Sequence, residues 1–149
     1  MPTPIIRNSA TNLTVTAANA VANNAYANSA DKLRVQQSTL STTGLLLCDF
    51  RLTSVTFAAA PVTGALQLVI VDRDAAGNVG PTPVATLLPG RVYSLGPSPT
   101  TSNASTGWIM SVNNVPISAD QDVWLFNNAT GQSLNSGWVL TAMPWSPGQ

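Results

Sequence analysis

The 149-residue sequence predicts an all-β chain, an antiparallel, jelly-roll-like β-sandwich of about eight strands with an extended N-terminal arm. Three observations carry that expectation. Apolar and polar residues alternate with the two-residue period of a strand in several segments, and Gly, Pro, Asn and Ser punctuate those segments at short intervals. No stretch carries the apolar stripe of an amphipathic helix, so the crossovers that a parallel sheet needs are missing.

Residues 1–31 read as an N-terminal arm or edge segment, and residues 32–149 as the β-sandwich domain with a C-terminal tail. The first segment is Ala, Asn and Thr with few large side chains. Its run AANAVANNAYANSA has the alanine that favours a short helix, but the repeated Asn opposes one. The clearest strand is LLLCDFRLTSVTF: Leu46, Cys48, Phe50 and Leu52 fall on one face, and Leu47, Asp49, Arg51 and Thr53 on the other. The apolar phase then slips to Val55 and Phe57, which requires a bulge or bend near Thr53 and Ser54. In ALQLVIVD both faces are apolar, with Leu66, Leu68 and Ile70 opposite Val69 and Val71, so both need cover.

Prolines at 81, 83, 89, 97 and 99 restrict the middle of the chain to short or edge strands, of which RVYSL is one candidate, because proline supplies no ladder donor. Three further strands, GWIMSVN, DVWLFNN and GWVLTAM, each hold a tryptophan, and NATGQ reads as the turn between the last two. Both ends combine prolines with apolar anchors and little local pairing capacity, so Pro4, Ile5, Ile6, Arg7 and Trp145 are the candidate partner-contact residues.

Charge restricts function more sharply than pattern does. Only 8% of residues are charged, there is no His and no Glu, and the single lysine is Lys32. A surface made mainly of Ser, Thr, Asn and Gln suits a protein packed into a larger assembly better than one that must stay apart from its neighbours by charge. The six cations are scattered, so nothing resembles a nucleic-acid stripe, and no apolar run is long enough to span a membrane.

Without histidine, Ser–His–Asp and Cys–His catalysis are excluded within one chain. Asp72 with Asp74, and Asp120 with Asp122, are the carboxylate pairs available for glycoside hydrolysis, yet both abut turns in which Asp commonly bonds local backbone. DRDAAGNVG offers Asp72, Asp74 and Asn78 as an incomplete calcium cage, with no downstream Glu to finish it, so no metal or other cofactor is expected. Cys48 is the only cysteine and reads as a small core residue. Trp108, Trp124 and Trp138 lie in strand-like runs and read as core or interface, with a sugar-stacking platform as the alternative. Trp145, in a proline-flanked tail, is free to dock on a neighbour. The sequons at Asn12, Asn103 and Asn128 are unremarkable in a chain this rich in Asn, Ser and Thr.

The segments LLLCDFRLTSVTF, AAPVTGALQLVIVDRDAAGNVGP, RVYSLGP and DVWLFNNATGQSLNSGWVLTAMP, in that order, resemble the small capsid cement or decoration proteins of tailed bacteriophages, over residues 33–144. The resemblance is one of pattern. It implies a non-enzymatic virion structural protein on the outer capsid surface, commonly a homotrimer, that clamps neighbouring major capsid proteins. The amino terminus lacks a secretory signal, so synthesis in the host cytoplasm is expected, and composition leads to the expectation of no nucleic acid, membrane or small-molecule partner. Two alternatives stay open: a phage tail or head-fibre component, and a carbohydrate- or receptor-binding β-sandwich module.

Overall fold

The computed structural model describes residues 6–9, 11–36, 46–61, 63–73, 80–84, 86, 90–96, 107–118 and 120–148. Two antiparallel sheets pack face to face. The first holds β1 (Ile6–Ser9), β2 (Leu13–Thr16), β5 (Leu46–Val55), β8 (Trp108–Ile117) and β10 (Val139–Gly148). The second holds β3 (Ala25–Tyr26), β4 (Leu33–Gln36), β6 (Ala65–Asp72), β7 (Arg91–Ser94) and β9 (Asp120–Asn128).

The pairings are nested. β6 pairs with β7, β5 with β8, β4 with β9 and β2 with β10, as in one long hairpin. That hairpin is wound on itself so that β5 also pairs with β10 and β6 with β9, which is jelly-roll winding. Ten strands occupy eight positions because β1 and β2 follow one another along β10, as β3 and β4 do along β9.

Alternation sets the register. Leu46, Cys48, Phe50 and Leu52 point into the core, and the ladder between β5 and β8 shifts between Leu52 and Val55. The expected slip is therefore a bulge at Ser54, whose φ is +57°. Gly107 lies against it with φ +74°, and a Cβ there would fall 2.7 Å from Ser54 Cα, so the bulge requires glycine opposite. Phe50, Phe57, Leu66, Leu68, Leu125 and Trp138 fill the space between the sheets. Each stabilises the fold by roughly 1.5–3 kcal/mol through burial.

On the outer face of the second sheet, Val69, Val71, Trp124 and Phe126 form a separate buried cluster, with Tyr26 stacked 4.5 Å from Phe126. Val69 is 0% and Val71 4% exposed, so β6 is covered on both faces within one chain. The cover that both faces of this strand need is thus supplied by the chain itself.

The described residues from 6 to 9 and 11 to 36 run along one edge of each sheet. The AANAVANNAYANSA run forms an isolated bridge from Val21 to Leu134, then β3, then a 3-10 turn at Ser29–Asp31, and no α-helix occurs among the described residues. Asp31 fixes this course: its carboxylate accepts from Ala18 N at 3.1 Å and Asn19 N at 3.2 Å. At the opposite edge the sandwich is closed where Gly96 and Ser111 exchange backbone bonds of 3.0 and 2.7 Å.

Candidate functional site

The contact residues expected at the two ends of the chain are brought together. β1 runs antiparallel to the end of β10, with Ile6 opposite Gly148, Arg7 opposite Pro147 and Ser9 opposite Trp145. The ends therefore have the pairing partners that they were expected to lack, and the partner of each is the other. Pro4 and Ile5 lie outside the described residues.

Trp145 is not a loose anchor. It sits in β10 between Ser9 and Leu47, is 8% exposed, and donates its indole N–H to Asp49 Oδ1 at 3.3 Å. The same oxygen accepts from Asn114 N at 2.8 Å. A second register shift, between Cys48 and Phe50, and the positive φ of Asn114 present that N–H to Asp49. The expectation that Trp145 is free to dock on a neighbour is corrected: the indole is spent on holding Asp49, a buried carboxylate on the outer side of the first sheet.

Charge gathers at one corner of the second sheet. Lys32, Arg34, Arg73, Arg91, Asp72, Asp120 and Asp122 are more than half of the chain's charged residues, and they meet where β4, β6, β7 and β9 lie side by side. Asp122, nearly buried, accepts from Lys32 Nζ at 2.9 Å and Arg73 Nη1 at 3.1 Å. Arg34 forks onto Asp120 through Nε at 3.0 Å and Nη2 at 2.6 Å. That bond holds the Asp120 carboxyl below its usual range, against the smaller opposing effect of desolvation. A proton donor for glycoside hydrolysis needs the opposite shift.

Beside this network a cleft of about 280 Å³ is lined by Asp72, Arg91, Pro116, Ile117, Ser118 and Gln121. Gln121 organises it. Its Oε1 accepts from Arg91 Nη2 at 3.1 Å and Ser118 N at 3.2 Å, while its Nε2 donates to Asp72 Oδ1. Asp74 and Asn78, the remaining members of the acidic pair and the calcium loop, lie outside the described residues. Among those described, no three His, Cys, Asp or Glu side chains cluster as metal ligands.

The tryptophans share no platform. Trp138 is fully buried in the main core and Trp108 packs against it, whereas Trp124 lies on the far side of the second sheet, 5.2 Å beneath Lys32 Nζ, and Trp145 on the far side of the first. Cys48 is buried, and desolvation pushes its thiol up to about 12. Sequence reasoning missed the ion-paired corner and the cleft, because their members come from distant segments. Compared with protein-family models, curated proteins and solved structures, the chain matches none.

Proposed function

We propose that this chain is a non-enzymatic virion structural protein, a cement or decoration protein that binds the outer surface of a bacteriophage capsid. It strengthens the shell by bridging neighbouring major capsid proteins, with copies of the chain associating as a homotrimer. The observation that carries this reading is the outer face of the first sheet. Among the described side chains of that face, Thr14, Thr16, Thr53, Thr141 and Ser111 lie around one exposed charge, Arg51, with Ile109 exposed beside them, and β1 forms the edge along the end of β10.

A face rich in hydroxyls on a rigid sheet can bond to its partners, capsid proteins and other copies of the chain, without the desolvation cost of burying many charges. Its backbone is already ordered by the sandwich, so little entropy is lost on docking. A reconstruction of purified virions tests the reading. Copies should appear in register on the head, and their confinement to the tail would overturn it.

A further inference from the structure

Among the described charged side chains, two stand apart. Lys32, Arg34 and Arg73 are paired with Asp120 and Asp122, while Asp31 and Asp49 are buried beneath N–H donors. Arg91 directs its donors to Tyr93 Oη, Pro116 O and Gln121 Oε1. Arg51, exposed in the middle of β5, makes no hydrogen bond or ion pair with a described residue. Asp72 is exposed at the rim of the cleft and bonds only to neutral groups, Gln121 Nε2 and Ser118 Oγ, both through Oδ1. Among the described residues its Oδ2 has no hydrogen-bond partner, and the carboxylate forms no direct ion pair, Arg91 reaching it only through Gln121.

These two charges do not meet within one chain. Arg51 leaves the outer face of the first sheet, in a row with Thr141 and Ser111, whereas Asp72 ends β6 in the second sheet. Arg91 also lines that cleft, but its donors go to Tyr93, Pro116 and Gln121, so Asp72 Oδ2 is left open to an incoming guanidinium such as the unpaired Arg51 of another copy. We infer that copies of this chain associate head to tail, with Arg51 of one copy entering the cleft of the next and donating to Asp72 Oδ2.

Because the two patches differ, the contact is heterologous, and it closes into a ring when the rotation between copies allows. Arginine fits this role: its planar fork matches a carboxylate, and its stem packs on apolar walls such as Pro116 and Ile117. The inference rests on the association of copies proposed above and names its contact.

Light scattering coupled to size exclusion, on the full chain over a concentration series, tests it. The unaltered chain should associate, and Arg51→Asp or Asp72→Arg should each raise the concentration for half-association at least tenfold, the scale on which truncated interfacial charge pairs act. The double variant R51D/D72R should recover most of the loss. Thermal melts establish that each variant folds, and if Asp72→Arg does not, the near-isosteric Asp72→Asn must show the loss instead. An oligomer unmoved by Arg51→Asp, or no recovery in the double variant, overturns this contact and leaves the association of copies standing. An unaltered chain that stays monomeric throughout overturns the association itself.

Discussion

Phe50 shows what one side chain contributes to this sandwich. It is 0% exposed on β5, with Ala142 of β10 on one side and Val112 of β8 on the other, so its removal leaves a hole that three strands cannot close. Phe50→Ala should cost about 3–5 kcal/mol, read as a fall in the denaturant midpoint with an unchanged slope. Asp120 acts through its charge. Its folded carboxyl is held low by the Arg34 bond, so it favours the fold above the unfolded value of about 3.9, and that contribution is lost as pH falls through the folded value. Acid titration of stability should therefore be shallower at low pH in Asp120→Asn than in the unaltered chain. An unchanged slope would mean that solvent screens the pair completely.

At the scale of elements, β1 is an edge strand of four residues that pairs with the end of β10 and, among the described residues, with no other strand. β2, by contrast, sends Leu13 and Val15 against the main core. Deleting the residues before Leu13 should leave a cooperative fold with the far-UV spectrum of a β protein, while weakening attachment to the particle. Unfolding comparable to that of Phe50→Ala would show that β1 belongs to the core. The same contrast explains what was legible beforehand. Patterns within one strand were: the bulge at Ser54, the two covered faces of β6 and the turn after Asn128 all follow from local alternation and turn chemistry. Partnerships across the chain were not. Asp49 meets Trp145 over 96 residues and Arg34 meets Asp120 over 86, and no local rule specifies such pairs. β3 escaped for a related reason: the Ala and Asn around Tyr26 carry little strand propensity, and pairing with β9 imposes the conformation.

On the scale of the whole molecule, nesting makes the last strand the one on which closure depends. β10 is not at an edge: β1 and β2 lie along one side of it and β5 along the other, so it joins the start of the chain to its middle. Without it β5 loses a neighbour along seven paired positions, from Leu47 to Thr53, and β1 and β2 lose their sheet. Truncation before Val139 should therefore abolish the cooperative unfolding transition, although it removes a segment only about as long as the N-terminal deletion that the fold is expected to tolerate. Tryptophan emission during denaturant titration checks this through Trp138 and Trp108, which report on the main core. The same topology requires slow folding. Joining β2 to β10 closes a loop of nearly the whole chain before the contact contributes any stability, and domains dominated by such pairings fold in roughly milliseconds to seconds. A sharp transition with shielded tryptophans in the chain lacking residues 139–149 would show instead that the inner pairs, β5 with β8 and β6 with β9, form an autonomous core onto which β10 merely docks.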